Sequence, residues 1–134
     1  MSVTYISKPE EYDKLKKKGL VVVDFNTEWC GPCKRFAPVF EELAKTYPDV
    51  KFLSVDSEKI DHEDCKNFKS VPTFKVFLNG ELKREFSGVD RARLEGYINR
   101  YFVQISVNGS VKRSFTKEEK DRVRKYLEMF KDEI

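Results

Sequence analysis

Apolar residues along this chain follow two rhythms, unbroken runs and runs spaced by three and four. LVVVDF, residues 20–25, is unbroken and carries one acid, Asp24. Such continuity predicts a strand buried on both faces. KFLSVD, residues 51–56, predicts a second. The segments 73–78 and 81–87 flank Asn79-Gly80, the two-residue signal of a hairpin. Helical spacing predicts a helix over 7–19, opened by a Ser7/Glu10 capping box, with Pro9 in its first turn and Gly19 at its end. Another should run from Cys30 to about Tyr47, burying Phe36, Val39, Phe40, Leu43 and Ala44, with a kink at Pro38. A short polar helix is expected near 61–69. Asp90 should cap one whose buried stripe is Leu94, Tyr97, Ile98 and Tyr101. The order helix, strand, helix, strand, helix, strand, strand, helix implies an α/β fold: parallel βαβ units followed by an antiparallel hairpin.

The remaining residues change the rhythm again. Val103, Ile105 and Val107 alternate with polar residues, Asn108-Gly109 is a second hairpin signal, and Val111 and Phe115 resume the alternation. Thr116 and Glu119 spell another capping box. Val123, Tyr126, Leu127, Phe130 and Ile134 then form one face of an amphipathic helix over 117–132. Residues 103–115 are thus expected to make a strand or hairpin. The final helix is expected to dock on the preceding domain, since an apolar face left in water is a liability, with association with a partner or a second copy, or disorder, as the alternatives.

Composition narrows the class. A chain of 134 residues suggests one domain with a real core. With 40% hydrophobic and 37% charged residues it belongs with folded water-soluble proteins, not disordered ones. The 26 basic and 23 acidic residues nearly cancel and form no basic block, which argues against nucleic acid as a partner. Leu20 to Val23, the longest aliphatic run, is far too short to cross a bilayer. The first fifteen residues are polar and resemble no signal peptide, so the expected location is cytoplasmic. On that view Asn108-Gly109-Ser110, a glycosylation acceptor in spelling, is a chance match. In a reducing compartment a close cysteine pair is more often catalytic or metal-binding than structural.

That pair is Cys30 and Cys33, in WCGPC at 29–33. Disulfide exchange needs one thiolate to attack and a second thiol to resolve the mixed disulfide. A cysteine at a helix start meets free backbone N–H groups and the positive end of the dipole, which favour its thiolate. A second cysteine one turn inside is less exposed. Gly31 and Pro32 suit a tight helix entry. Asp24 adds weight, because a carboxylate in an apolar strand is costly without a task or a partner. Burial raises its pKa, which suits a proton acceptor working near neutral pH, able to take the Cys33 proton through a water.

The sequence around the pair resembles the thioredoxin family. WCGPC is preceded by VVVDF and followed by Lys34 and Pro38. Val71-Pro72-Thr73, Asn79-Gly80 and Phe86-Ser87-Gly88 follow in the family's order, and the match spans residues 1 to about 102. The resemblance implies a thioredoxin fold, a mixed sheet flanked by helices, over residues 1–103, with 104–134 as a C-terminal extension. It implies a protein-disulfide reductase with Cys30 as nucleophile, Cys33 as resolving thiol and Asp24 as buried acid–base. Pro72 is implied as a cis-proline facing the disulfide. The Val71 backbone would pair with an extended substrate segment, and Trp29, Gly31, Pro32, Gly88 and Val89 would form a shallow docking surface. No bound cofactor is implied. NADPH would act through a thioredoxin reductase, disulfide-containing proteins such as peroxiredoxins would be substrates, and the protein would be a monomer without membrane or nucleic-acid partners. Two departures stand out. Asn26 replaces the Trp or small residue usual there, and Phe52 occupies the place of a buried Lys that some relatives carry near Asp24.

Two other classes compete. Cys30, Cys33, His62 and Cys65 have the count and spacing of a Cys3His zinc site, although thioredoxin topology would keep His62 away from Cys30; the expectation is no metal. A fold kept only for binding would usually lose a cysteine, and none is lost here. Cys65 is expected to be an inert semi-buried thiol, with regulatory oxidation as its alternative role.

Overall fold

In the computed structural model, which describes residues 3–109, 111 and 114–129, the alternation along one strand sorts the whole core. That strand, β2, spans Leu20–Asn26 at the middle of a five-stranded sheet. Its even-numbered side chains face one side and its odd-numbered ones the other. Leu20 and Val22 join a cluster with Phe36, Phe40, Phe52, Phe74, Phe86, Leu94 and Ile98. Val21, Val23 and Phe25 join a second, with Tyr12, Leu53, Val55 and Phe77. Both faces are covered, as the unbroken apolarity requires. Asp24 falls on the face of the first cluster.

The remaining elements are β1 (Thr4–Tyr5), α1 (Pro9–Lys16), α2 (Gly31–Thr46), β3 (Lys51–Asp56), β4 (Thr73–Leu78), β5 (Glu81–Ser87), α3 (Arg91–Val107) and α4 (Lys117–Met129). The sheet order is β1-β3-β2-β4-β5. β2 runs parallel to β3 and antiparallel to β4, so the sheet is mixed. β4 and β5 form the expected hairpin, whose turn places both Asn79 (φ 51°) and Gly80 (φ 87°) in the left-handed region that such two-residue loops demand. β1, too short to show a pattern, was not expected. It pairs parallel with β3 at the sheet edge.

Four expectations are corrected. α1 begins at Pro9, and Ser7 and Glu10 form no capping box; instead Glu11 Oε1 accepts from the Ser7 N–H at 2.9 Å. The polar helix at 61–69 shrinks to one 3-10 turn, Glu63–Cys65, capped by His62 Nδ1 accepting from the Asp64 N–H. Cys65 and Phe68 are the segment's only apolar residues packed on the second cluster, too few to sustain a longer helix. Val39, assigned to the stripe of α2, is only partly buried, as is Tyr97 of the stripe of α3.

The fourth correction concerns 103–115. No strand forms among the described residues there. α3 continues to Val107, because Leu94, Ile98, Tyr101, Phe102 and Ile105 keep a helical stripe that buries against the first cluster. Asn108-Gly109 ends this helix and makes no hairpin. The Asn108 N–H donates to Gln104 O at 3.2 Å, the Gly109 N–H to Ser106 O at 3.3 Å, and Gly109 has φ 82°, which is glycine's habitual place after a helix. The Thr116/Glu119 capping box does form: the Thr116 N–H donates to Glu119 Oε1 (3.0 Å) and the Glu119 N–H to Thr116 Oγ1 (3.2 Å). Val111, Phe115 and Val123 pack against the first cluster. Arg122 lies over the Tyr47 ring at 4.9 Å. Phe130 and Ile134, also assigned to the last helix face, lie outside the described residues, as does Ser110.

Candidate active site

β2 delivers Asp24 to the top of the sheet and stops at Asn26. A short loop, Thr27 to Trp29, then leads into α2. Cys30 is the N-cap of α2, in extended backbone conformation, and Pro32 sits in the first helical turn, where its missing N–H costs nothing. Cys30 and Cys33 are joined by a disulfide with their Cα atoms 5.2 Å apart. The Cys33 N–H donates to Cys30 Sγ at 3.1 Å. One of the free N–H groups at the start of α2 is therefore aimed at this sulfur, the arrangement that stabilises a thiolate once the bond is reduced.

A second loop meets the disulfide from the other side. The Val71–Pro72 peptide is cis, and Val71 O lies 3.6 Å from Cys30 Sγ. The Gly88 N–H donates to Pro72 O at 2.8 Å. Thr73 Oγ1 bonds to Ser70 O at 2.7 Å and meets Ser87 Oγ at 2.5 Å. These bonds lock the Pro72 and Gly88 loops together beside the sulfurs. Around them the surface is apolar and open. Trp29 is 83% exposed and Val89 is 51% exposed. Pro32 and Val89, with Arg35, Phe36, Val39 and Arg91, line a shallow groove of about 290 Å³. The structure thus gathers Trp29, Gly31, Pro32, Val71, Pro72, Gly88 and Val89 around Cys30.

Behind the disulfide lies a second, smaller cleft of about 180 Å³, lined by Asp24, Asn26, Cys33, Lys34, Phe40 and Ser54 among others. Asp24 is 3% exposed. Burial lifts its pKa from the usual 3.8 to about 7, against the opposing pull of a hydrogen bond from Asn26. Phe52 is buried edge-on against Phe40, ring centroids 5.2 Å apart, and brings no charge to Asp24. The sheet's buried lysine, Lys75, faces the opposite side, over the Phe25 and Phe68 rings. Sequence reasoning flagged Asn26 only as a departure. Its partnership with Asp24 was detectable in principle, since residues two apart on a strand share a face. The place of Ser54 was not, because it depends on the β2–β3 register that sets it opposite Asp24.

The third cysteine is elsewhere. Cys65 packs against the second cluster, across the sheet from Asp24. Burial, reinforced by the negative charge of Asp64, pushes its thiol up to about 11, which keeps it protonated near neutral pH. His62 is engaged with Asp13 at 2.7 Å through Nε2 and with the Asp64 N–H through Nδ1. The Cys3His set is therefore not assembled, and no group of three or more metal-capable side chains occurs among the described residues.

Disulfide exchange requires two sulfurs that can join and part with little movement of the backbone. A pair spanning one turn at the start of a helix anchored by its buried face meets that requirement, and this fold with this pair defines a thiol–disulfide oxidoreductase. Comparison with known proteins specifies the class. The thioredoxin family model matches residues 3–100. The chain is 43% identical over 93 residues to thioredoxin-3 of Dictyostelium discoideum, covering 69% of this chain and 89% of that one. It is 39% identical over 101 residues to thioredoxin 1 of Plasmodium falciparum, covering 74% and 97%. A solved structure concerned with thiol resolution in a yeast mitochondrial 1-Cys peroxiredoxin through the glutathione and thioredoxin systems matches with a TM-score of 0.67 at 30% identity, over 74% of this chain and 95% of that one. The chain belongs to the thioredoxin family. It is a protein-disulfide reductase that works through the Cys30–Cys33 pair on disulfide-containing partner proteins. Family members bind no cofactor themselves, and NADPH acts through thioredoxin reductase. No helix among the described residues is long and apolar enough to cross a membrane.

Proposed function

We propose that Cys30 is the attacking nucleophile and Cys33 the resolving thiol. The observation that carries this order is the asymmetry of the two sulfurs. Both cysteines are buried, but Cys30 sits at the N-cap facing Val71 of the cis-proline loop, whereas Cys33 lies one turn inside and lines the cleft with Asp24. The Cys30 thiolate attacks one sulfur of a partner disulfide, the partner's sulfur–sulfur bond breaks, and the other partner sulfur leaves as a thiolate that takes up a proton from water. The Cys33 S–H then gives its proton to Asp24, by way of water for which the cleft has room. The Cys33 thiolate attacks Cys30 Sγ, the bond between Cys30 and the partner breaks, and the partner sulfur that Cys30 had attacked leaves as a thiolate that takes up a proton from water. Two electrons pass to the partner, and Cys30–Cys33 is left oxidised.

The partner's chain would run along Val71 and accept or donate backbone hydrogen bonds there. Trp29, Gly31, Pro32, Pro72, Gly88 and Val89 would form the apolar seat. A thioredoxin reductase drawing on NADPH would restore the dithiol. Peroxiredoxins are a fitting substrate class, and the protein would act as a cytoplasmic monomer. The expected boundary between residues 103 and 104 falls inside α3, so the domain proper would end with that helix at Val107, with the residues after it an extension docked on it.

The test is covalent trapping. Cys33→Ser, incubated with a disulfide-containing protein, should accumulate a mixed disulfide that mass spectrometry maps to Cys30. Recovery of an adduct only from Cys30→Ser, through Cys33, would reverse the assigned order.

A further inference from the structure

We propose that Asn26 is a positioning residue for the resolving step: its side-chain amide holds the Asp24 carboxylate beside Cys33 and favours the form that accepts a proton. The proposal rests on the proton-accepting role of Asp24 argued above.

The geometry is specific. Asn26 Nδ2 donates to Asp24 O at 3.1 Å, to Ser54 Oγ at 2.9 Å and, with a longer contact of 3.4 Å, to Asp24 Oδ1. Two N–H bonds thus serve a backbone oxygen, a neighbouring-strand hydroxyl and the carboxylate itself. The base of the side chain is fixed as well. Asn26 O accepts from the Ser57 N–H at 2.8 Å and from Ser57 Oγ at 3.1 Å, so the end of β2 is clamped to the residues that follow β3. Asn26, Asp24, Ser54 and Cys33 line one cleft. Among the described residues, Asn26 is the side chain hydrogen-bonded to the Asp24 carboxyl.

The sign of the effect follows from amide chemistry. An N–H donor stabilises a carboxylate and gains nothing from the O–H of a carboxylic acid. Burial works the other way, and the hydrogen bond from Asn26 opposes it. The other charged or titratable groups of the cleft are Tyr5 from β1, Glu28 after β2, Cys33 and Lys34 from α2, and Asp56 from β3. None of them hydrogen-bonds to Asp24. Asn26 therefore stands where a neutral donor can tune this acid without adding a charge to the cleft. During resolution the proton leaves Cys33 for Asp24, Cys33 closes onto Cys30, and the partner's sulfur departs. Asn26 exchanges no proton and changes only how readily Asp24 takes one.

Single-turnover release of the partner thiol from a preformed Cys30 mixed disulfide, followed against pH, tests this. Four proteins are compared: the parent, Asn26→Ala, Asp24→Asn and the double variant. The expected result is that Asn26→Ala moves the midpoint of the acid limb upward by about half a unit, roughly a threefold slower release on that limb, with the high-pH plateau unchanged. In the Asp24→Asn background Asn26→Ala should change nothing further. A variant that merely loosened the site would instead lower the rate at every pH. If Asp24→Asn flattens the acid limb while Asn26→Ala leaves its midpoint in place, the role of Asn26 is overturned and that of Asp24 stands. If Asp24→Asn leaves the profile unaltered, the assignment of Asp24 fails and this inference with it. Should Asn26→Ala fold poorly, the nearly isosteric Asn26→Leu carries the same test, read by carbon NMR titration of the Asp24 carboxyl, where an unmoved titration would overturn the proposal.

Discussion

Asp24→Asn should stabilise the protein, and the gain should depend on pH. In the folded protein the Asp24 carboxyl titrates near 7, against its usual 3.8, because burial penalises the charged form. Well below pH 4 the group is protonated in both the folded and unfolded chains, so it costs nothing. Between about 4 and 7 the unfolded chain gives up the proton and the folded chain keeps it. The unfolded state then binds fewer protons, and stability falls as pH rises. Above about 7 the folded chain must ionise too, and the penalty levels off. Three units at 1.36 kcal/mol each come to about 4 kcal/mol. The amide that replaces the acid also needs hydrogen bonds, so a measured gain of about 2–4 kcal/mol is expected at high pH. The assay is urea denaturation of the oxidised parent and of Asp24→Asn, near pH 4 and near pH 8. Other titrating groups are common to both proteins and drop out of the difference. A gain of the same size at both pH values, or a variant less stable than the parent near pH 8, would refute the argument that burial raises Asp24.

Three further outcomes are expected. Phe74 is fully buried, with ring contacts to Phe36, Phe40 and Phe86, so Phe74→Ala should cost about 3–5 kcal/mol in denaturant titration; a loss under 1 kcal/mol would contradict the packing. Ending the chain at Gly109 removes the contacts of Val111, Phe115 and Val123 with the core and should lower the melting temperature by several degrees, Phe115→Ala producing part of that drop; an unchanged melting curve would show that the tail is not docked. In the reduced protein, iodoacetamide near neutral pH should label Cys30 well before Cys65, whose thiol is held near 11, and mass spectrometry showing the reverse order would disprove the assignment of Cys65 as inert.

The candidate site was largely legible because its chemistry is local in sequence. Cys30, Gly31, Pro32 and Cys33 occupy one helical turn, and Asp24 announces itself as the single acid in an apolar strand. The central strands and the Asn79-Gly80 hairpin were legible for the same reason: pattern and turn residues agree there. The α3 region was not, because Val103, Ile105 and Val107 satisfy a period of two as well as they extend a helix. Burial decided between them. Leu94, Ile98, Tyr101 and Ile105 already formed a stripe with the core to cover, and three alternating residues had no neighbouring strand to pair with. The same Asn-Gly spelling makes a hairpin turn at 79–80 and a helix stop at 108–109, since both need a residue in the left-handed region. Contacts set by register or by distant segments, such as Ser54 beside Asp24 or Lys75 under Phe25, carry no signal in a single sequence.

The position of the tail has a consequence for how the protein is made. Phe115 meets Phe102, and Arg122 covers Tyr47 at the far end of α2, sixteen helical residues and so about 24 Å from the disulfide end. Ribosomes deliver the chain from its N-terminus, and every residue around the sulfurs has emerged before the first residue of α4. The expectation is that a nascent chain exposed only as far as Gly109 already carries a working redox pair, with α4 closing over the opposite end afterwards. Stalled ribosome complexes of that length, assayed for disulfide reduction, would be inactive if the extension were needed to shape the site. If they are active, mutations can accumulate in the extension at the expense of stability while sparing the chemistry.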